Sequence, residues 1–353
     1  MAGNFPIVVI GASAGGVEAV SQIVRGLPAD FPGAIFIAMH FPVHSTSVLP
    51  RILARAGKLP AIHPEHGADI EAGHIYVAPP DRHLVVLRNT MHLVRGPREN
   101  GNRPAIDPMF RSAAVAHRNR VVAVVLTGNL DDGTSGLLAV KRRGGVAIAQ
   151  DPADALFPSM PASAVEHVPL DFVLPLAAIP EMLSTIVARI AAQPLQSWEE
   201  TMDDDAVRET SYTELDLATV ETPEVHPGRP SEFGCPDCGG VLWEIQDGEL
   251  QRYRCRVGHA WTADALLTSQ ADQLDQALWT ALRALEENAA LTDNMAQRAR
   301  SRGNDLLAAK FERDARTARH RAHVIQQALL AGIPAAAEPS GGADKFEAKK
   351  TGS

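Results

Sequence analysis

The sequence predicts an α/β fold built on an open, mainly parallel, doubly wound sheet. Three apolar runs, at residues 7–10, 34–39 and 121–126, are rich in aliphatic and β-branched side chains. Runs of this kind are typical of strands that are buried on both faces of a parallel sheet. Helical patterns follow them, and strands and helices alternate from residue 7 to about residue 194. This alternation indicates βαβ units that share one sheet.

Shorter elements complete the same region. Additional strands are predicted at 74–77 and 146–149, and a β-hairpin at 84–87 and 92–94. Helices are predicted at about 47–56, 107–117, 137–142 and 179–192. Asp107 is expected to cap the helix that begins there.

Length and composition limit the class of protein. A chain of 353 residues accommodates one large domain and smaller ones. No apolar run reaches the roughly 20 residues that a membrane-spanning helix requires, and no secretory signal pattern opens the sequence. The formal net charge of -9 argues against an overall nucleic-acid binder. We therefore expect a cytoplasmic protein with no direct membrane insertion.

The first strand ends in a turn of small residues, Gly11-Ala12-Ser13-Ala14-Gly15. A dinucleotide-binding turn has glycine at the position that Ser13 occupies here. The pattern is instead G-x-S-x-G, which exposes a serine hydroxyl above a sheet, where it can act as a nucleophile. On this stretch alone, a serine that merely caps the next helix is an equal alternative.

His40 and Asp132 each follow closely after one of the other two apolar strands. Because the carboxyl ends of parallel strands lie at one edge of an open sheet, Ser13, His40 and Asp132 are expected to meet there. They are the residue types of a nucleophile, its base and the acid that orients the base. The alternatives are a loop histidine at position 40, a turn aspartate before Gly133, and Asp131 as the acid. The three positions together favour the catalytic interpretation.

The composition changes after residue 194. Residues 195–232 are rich in acidic side chains, with prolines and serines between them. This composition predicts a flexible acidic linker after a first domain at 1–194.

All three cysteines follow the linker. Cys235, Cys238, Cys255 and His259 form the pattern C-x2-C-x16-C-x3-H, a tetrahedral ligand set suited to zinc. Four protein ligands leave no open position, so the metal is expected to be structural, in a small zinc ribbon at 233–262. Because the ribbon lies far along the chain from Ser13, we expect a chelator to unfold it without removing activity that depends on this serine.

The remaining sequence predicts two long amphipathic helices. An αα-hairpin is expected at 263–332, interrupted at Gly303-Asn304. The apolar stripes suggest homo-oligomerisation or the docking of a partner, although plain packing gives the same pattern. Residues 333–353 are expected to be disordered.

Six segments of the first domain carry a recognisable set of motifs. They are Ile10-Gly11-Ala12-Ser13-Ala14-Gly15-Gly16, His40-Phe41-Pro42, Tyr76 to His83, Ile106-Asp107-Pro108-Met109-Phe110, Leu126 to Gly133, and Gln150 to Pro161. In these segments the chain resembles the catalytic domain of the chemotaxis protein-glutamate methylesterase (CheB) family. The resemblance implies a serine hydrolase that demethylates glutamyl methyl esters of chemoreceptors or similar methylated proteins, and that can also deamidate glutamines. It implies a triad of Ser13, His40 and Asp132, with backbone amides near His40 and Asn129 as oxyanion donors and no cofactor for catalysis.

The sequence also departs from the family pattern. The resemblance begins at residue 7, so the receiver domain that gates family members is expected to be absent in cis, and regulation to come from a separate protein or the carboxyl-terminal half. The usual T-G-M-G turn reads Thr127-Gly128-Asn129-Leu130. The zinc ribbon and helices resemble an appendage of free-standing members. The alternative functions are a signalling scaffold with an esterase fold and a hydrolase that acts on a non-receptor ester.

Overall fold

The computed structural model describes residues 5–42, 45–194, 205–214 and 228–331. Its centre is a seven-stranded sheet whose strands are β1 (Ile7–Ala12), β2 (Ala34–Met39), β3 (Ala61–Ile62), β5 (Ile75–Val77), β8 (Val121–Val125), β9 (Val146–Gln150) and β10 (Phe172–Leu174). All pairings are parallel, in the order β10-β9-β8-β1-β2-β5-β3. The three apolar runs form β8, β1 and β2, which are neighbours in the middle of the sheet, so the predicted fold class is confirmed.

Helices cover both faces of this sheet. The first face packs against α1 (Gly16–Gly26), α2 (Leu49–Ala56) and α6 (Ile179–Ala191). The second face packs against α3 (Ile106–His117), α4 (Thr134–Arg142) and α5 (Ser159–His167). Along β1, Val8 and Ile10 belong to the first core, whereas Ile7 and Val9 belong to the second. One apolar run therefore supplies both cores, because successive side chains of a strand point to opposite faces.

The predicted β-hairpin belongs to a second, small sheet. It is formed by β4 (Ala68–Asp69), β6 (His83–Val86) and β7 (Thr90–Val94), with antiparallel pairings in the order β4-β7-β6. Leu84 pairs with Leu93 across the hairpin, and both contribute to the core under the second face of the large sheet.

Part of the predicted flexible linker is helical. Residues 205–214 form α7 (Asp205–Glu214), and its side chain Glu209 is 4% exposed. The prediction of a flexible linker is wrong for this segment, because arginines from elsewhere in the chain bind Glu209 and replace the water that its charge would otherwise need. Residues 195–204 and 215–227 of the predicted linker lie outside the described part of the chain. The prediction is also wrong for residues 229–232, which belong to the first strand of the ribbon sheet.

The predicted ribbon is a four-stranded antiparallel sheet. Its strands are β11 (Arg229–Gly234), β12 (Val241–Asp247), β13 (Leu250–Cys255) and β14 (Ala260–Thr262). This sheet packs with the α/β fold in one compact unit that extends to Ala265. The sequence suggested a separate small domain, whereas the structure joins it to the first domain.

A buried set of charges holds this junction together. The ion-pair cluster consists of the acids Glu99, Glu209 and Asp247 and the bases Arg111, Arg252 and Arg254. Arg111 on α3 binds Glu99 at 2.6 Å, and Arg254 on β13 binds Glu209 on α7 at 2.6 Å. The three buried acids and three buried arginines balance in charge, and Asp247 also pairs with the exposed Arg142. Such balance is the condition under which charges can be buried.

The second unit starts at Leu266 and contains most of two long helices, α8 (Ala263–Ser301) and α9 (Asp305–Ala331). Between them Gly303 adopts a φ of 73°, and the Asn304 side chain accepts a hydrogen bond from the N–H of Leu307. Ion pairs of Arg300 with Glu312 and of Arg319 with Asp293 join the helices as a hairpin. Small side chains line α9 on its buried side: Ala308, Ala315, Ala318 and Ala322. The predicted disordered tail, 333–353, lies outside the described residues.

Among the described helices, none is both long enough and apolar enough to cross a membrane.

Candidate active site

Ser13 lies directly after β1, in the turn that leads into α1. Gly15 takes the left-handed conformation, with a φ of 74°, which glycine adopts without strain. The backbone N–H of Ser13 donates to the carbonyl of Thr127, which follows β8, at 3.0 Å. This bond ties the serine turn to the end of the neighbouring strand and leaves the Ser13 hydroxyl facing the edge of the sheet.

His40 bridges the other two predicted site residues. Its Nδ1 lies 3.0 Å from Ser13 Oγ, and its Nε2 lies 2.6 Å from Asp132 Oδ2. An ionised carboxylate only accepts hydrogen bonds, so Nε2 carries the proton that Asp132 accepts. Nδ1 then has a free lone pair toward the Ser13 hydroxyl. The tertiary structure thus brings together three residues that the sequence separates by 27 and 92 positions.

Asp132 is nearly fully buried, at 2% exposure, at the amino end of α3. Its carboxylate accepts the backbone N–H groups of Ile106 at 2.8 Å and Asp107 at 3.2 Å, and the Asn100 side-chain amide at 3.3 Å. Burial acts to raise the pKa of Asp132, but the hydrogen bond and charge of His40 and the two backbone amides outweigh it and lower that pKa. Asp132 therefore stays ionised beside the imidazole.

Asp131, the alternative acid, faces away from this contact. Its carboxylate accepts a hydrogen bond from the Thr262 hydroxyl at 2.7 Å. Burial raises the pKa of Asp131 to about 7, and the charges of Asp264 and Asp132 add to this effect against the hydrogen bond of Thr262. Of the two neighbouring aspartates, only Asp132 is hydrogen-bonded to His40 in the described part of the chain.

Asp107 does not cap its own helix. The residue before α3 is Ala105, and Asp107 lies in the first turn. Its carboxylate instead accepts the backbone N–H groups of Gly133 at 3.0 Å and Gly136 at 2.7 Å, at the amino end of α4. The predicted cap is wrong because a partner distant in sequence competes for this side chain. Asp107 fixes the turn that contains Asp132.

The turn at 127–130 packs tightly against Ser13. A side chain at Gly128 would place its Cβ 2.1 Å from Met160 Sδ and 2.9 Å from Ser13 Cβ, so this position requires glycine. The Gln150 side chain accepts the N–H of Thr127 at 3.0 Å. Leu130 has a φ of 62°, at the place where the resembling family has glycine. This left-handed conformation strains a leucine backbone by roughly 1–2 kcal/mol.

The predicted metal ligands also lie together. The ligand atoms of Cys235, Cys238, Cys255 and His259 all fall within 4.8 Å of one another. Two tight turns present them, closed by hydrogen bonds from Gly239 N–H to Cys235 O and from Cys255 N–H to His259 O. Three soft sulfur donors and one imidazole fit zinc, and the cluster leaves no ligand position for a substrate. A metal ion could therefore bind here as a structural group.

Three supporting residues were not predicted as part of the site. Asn100 hydrogen-bonds both Asp132 and Asp107, Gln150 holds the serine-facing turn, and Thr262 contacts Asp131. Asn100 precedes a glycine, a pair that ordinarily indicates only a turn, and it has a φ of 51°. The polar side chains become recognisable as site residues only from their partners.

The chain is similar to known proteins of one family. A family profile described as CheB methylesterase matches residues 8–183. A protein of Leptospira interrogans serovar copenhageni, named a putative protein-glutamate methylesterase/protein-glutamine glutaminase, is 37% identical over 180 residues, which cover 51% of this chain and 93% of that protein. A protein-glutamate methylesterase/protein-glutamine glutaminase 2 of Methanosarcina mazei is 35% identical over 51% of this chain and 52% of its own length. The chain thus spans about half the length of this second relative.

A solved structure shows the same likeness. The crystal structure of the Thermotoga maritima CheB methylesterase catalytic domain matches with a TM-score of 0.51 and 35% sequence identity. The match covers 52% of this chain and 99% of the Thermotoga chain. The similarity thus reaches almost the whole of that catalytic domain.

Proposed function

Because the chain belongs to the CheB methylesterase family, we propose that it is a serine hydrolase that demethylates glutamyl methyl esters on proteins. The observation that carries the proposal is the imidazole of His40, which contacts Ser13 Oγ through one ring nitrogen and Asp132 through the other. This is the arrangement that a hydroxyl nucleophile requires, because serine is scarcely ionised at neutral pH. We assign Ser13 as nucleophile, His40 as base and Asp132 as the group that orients His40.

The first half of the reaction transfers the glutamyl group to the enzyme. Ser13 Oγ attacks the ester carbonyl carbon while His40 Nδ1 takes the hydroxyl proton. The resulting tetrahedral intermediate carries a negative oxygen. It collapses with cleavage of the bond to the methoxy oxygen, which receives the proton from His40 and leaves as methanol. Acid–base help of this kind contributes about 10²–10⁴ in rate.

The second half releases the product. Water attacks the carbonyl carbon of the acyl-enzyme and gives a proton to His40, which passes it to Ser13 Oγ as the bond to that oxygen breaks. The original serine and a glutamic acid side chain result, and the acid ionises to the carboxylate in water. Asp132 stabilises the imidazolium in both halves without taking up its proton. Backbone amides near His40 and Asn129 are the expected donors to the negative oxygen. Within the described residues, the N–H groups of Phe41 and Asn129 make no other hydrogen bond, which supports this assignment.

The same site supports deamidation of glutamine. An amide carbonyl undergoes the same attack, and ammonia then leaves in place of methanol with a proton from His40. We propose methylated chemoreceptors, or similar methylated proteins, as the substrates. Regulation by a separate protein and self-association through α8 and α9 remain predictions.

For the cysteine-histidine cluster we propose structural zinc. The donor set and the short ligand-to-ligand distances support this choice. Cys235, Cys238, Cys255 and His259 would hold the ion, and catalysis would pass through the three side chains at the sheet edge.

A methanol-release assay on methylated receptor fragments tests the function. The Ser13→Ala variant should lose at least about 10³-fold in turnover, because the nucleophile is absent. Ser184→Ala is a matched control, since this serine lies on α6 and its hydroxyl donates to Pro180 O of the same helix. Unchanged methanol release by Ser13→Ala would refute the assignment. Tight receptor binding by the wild-type chain without methanol release would favour the scaffold alternative.

A further inference from the structure

The last strand of the ribbon sheet contacts the residue that supports Asp132. The backbone N–H of Asn100 donates to Ala260 O at 2.8 Å, and the Asn100 side-chain oxygen accepts the N–H of Thr262 at 2.9 Å. The other end of the same side chain donates to Asp132 Oδ1 and Asp107 Oδ2, each at 3.3 Å. Asn100 is thus a bridge between β14 and the carboxylate that faces His40.

A second contact reaches the same turn. The Thr262 hydroxyl donates to Asp131, the residue directly before Asp132, at 2.7 Å, and accepts the N–H of Ala265 at 3.2 Å. Thr262 is 1% exposed and Asn100 is 8% exposed, so water cannot easily replace either set of bonds. Thr262 of β14 therefore holds Asp131 through its hydroxyl. Its backbone N–H also positions the Asn100 side chain, whose amide donates to Asp132.

The candidate metal site determines where β14 begins. His259 is the fourth ligand, and Ala260 is the next residue. The carbonyl of His259 accepts the N–H of Cys255, which is the third ligand and ends β13. An ion bound by all four ligands would hold this short turn and, through it, the position of β14. Without the ion, β14 would be held by its three register positions with β13, by the hydrogen bond from Ala260 N–H to Arg98 O at 3.3 Å, and by the contacts above.

We propose that the ribbon is a positioning device for the esterase site, in which the loaded cysteine-histidine site holds β14, and β14 holds Asp132 through Asn100 and Thr262. Asn100 and Thr262 are positioning residues, since neither touches the reacting atoms. The inference rests on the proposed function and deepens it by making hydrolysis depend on a metal that takes no part in the chemistry. It replaces the expectation that chelation leaves the activity unchanged.

The physical basis is the sensitivity of proton transfer to geometry. Asp132 and His40 are 2.6 Å apart, and this distance fixes the ring that must take the serine proton. A displacement of about 1 Å in a catalytic group can lower a rate by about 10²-fold. Loss of β14 would free both the Asp131–Asp132 turn and the Asn100 amide.

Variants at Thr262 test the link in the full-length chain. Thr262→Val keeps the shape but removes the hydroxyl that donates to Asp131 and accepts from Ala265 N–H, and it should lower kcat about five-fold at an unchanged KM. Thr262→Ser keeps the hydroxyl and should restore kcat to within about two-fold. Equal kcat values for the wild type and Thr262→Val would overturn the role of Thr262.

A variant at Asn100 separates positioning from folding. Asn100→Gly suits the left-handed backbone and keeps the N–H bond to Ala260, but removes the amide that bonds Asp132. It should lower kcat about ten-fold and move the acidic limb of the kcat/KM profile to higher pH, because a carboxylate with fewer hydrogen bonds takes up a proton more readily. An unmoved profile would reduce Asn100 to a folding role and overturn its part in the proposal.

Metal removal supplies a readout that does not need hydrolysis. The full chain is compared with bound Zn²⁺, after chelation, and after Zn²⁺ is returned, by methanol release and by amide hydrogen exchange. Chelation should lower kcat at least about ten-fold and speed exchange at residues 99–107 and 131–134, whereas 34–39 in β2 stays protected. Return of Zn²⁺ should reverse both changes. Unchanged exchange and activity after verified zinc loss would overturn the proposal.

The two proposals fail in different ways. In one outcome, the zinc-bound chain releases no methanol, but amide exchange at residues 99–107 still depends on the metal. This result would refute the esterase function and keep the link between the ribbon and Asp132. Methanol release that is independent of zinc and of both Thr262 variants would keep the function and refute the link.

Discussion

Two buried carboxylates of this protein, Asp132 and Glu209, are stabilised in opposite ways. Asp132 accepts hydrogen bonds from neutral donors, the N–H groups of Ile106 and Asp107 and the amide of Asn100, beside the imidazole of His40. Glu209 binds the permanently charged guanidinium groups of Arg252 and Arg254. Both side chains are almost inaccessible, at 2% and 4% exposure. Their difference thus lies in the donors and not in burial.

The choice of donors suits two different tasks. Against the effect of burial, the charges of Arg252, Arg254 and Arg111 hold the pKa of Glu209 well below its usual range. The arginine guanidinium groups that neutralise Glu209 stay charged at any ordinary pH, so these ion pairs are a permanent part of the structure. His40 and the neutral dipoles of two backbone amides keep Asp132 ionised, and within the described residues no permanently charged group neutralises it, so its charge is available to an imidazole that gains and loses a proton. The surroundings of Glu209 therefore suit a structural role in the ion-pair cluster, and those of Asp132 suit a catalytic role beside His40.

The largest expected effect separates the two neighbouring aspartates at the site. Asp132→Asn should lower kcat for methanol release by about 10⁴-fold, because an amide can present its NH₂ to His40 and favour the wrong tautomer. Asp131→Asn is the matched control, since its amide oxygen can still accept the Thr262 hydroxyl, and it should lose less than about ten-fold. Steady-state kinetics on one methylated substrate measure both. The opposite order would transfer the acid role to Asp131.

A smaller effect, on stability and not on chemistry, is expected at Glu209. Glu209→Gln should lower the free energy of unfolding by about 3–5 kcal/mol, because Arg252 and Arg254 are left buried without their shared carboxylate. Asp205→Asn on the same helix is the control and should change it by less than about 0.5 kcal/mol, since Asp205 is exposed. Urea unfolding measures both variants. A cost for Glu209→Gln no larger than that of the control would show that the ion-pair cluster is not needed for the junction.

The smallest effect is a pH dependence at Asp131. The folded pKa of about 7 lies above the unfolded value of about 4, so the folded state binds the extra proton between these values. Stability from this group therefore falls as the pH rises from about 4 to about 7. Asp131→Asn has no carboxyl group to titrate, so it does not lose this stability. The free energy of unfolding of the variant minus that of the wild type should therefore be about 2 kcal/mol larger at pH 8 than at pH 5. Thermal unfolding at both pH values measures this difference. The same difference at pH 5 and pH 8 would mean that the pKa of Asp131 is not raised in the folded protein.

Particular residues show how far the sequence predicts the structure. The apolar runs predicted the three central strands, because a strand that is buried on both faces of a sheet needs consecutive apolar residues. The same reasoning failed at Glu209, because an acidic segment of this composition ordinarily stays solvated and its arginine partners lie 43 and 45 residues away. Asp107 was assigned to the wrong helix for a similar reason. Local rules describe a side chain correctly only while no distant partner competes for it.

The sequence by itself determined the α/β class, the serine turn, and the cysteine-histidine spacing, because each depends on residues that are consecutive or regularly spaced in the chain. The tertiary structure decided which aspartate faces His40, since Asp131 and Asp132 are adjacent and chemically identical. It also decided that the ribbon contacts the site, through a bond between Asn100 and Thr262 that spans 162 positions. Hydrogen bonds act over about 3 Å, so a link between distant positions exists only once folding has brought its two ends together.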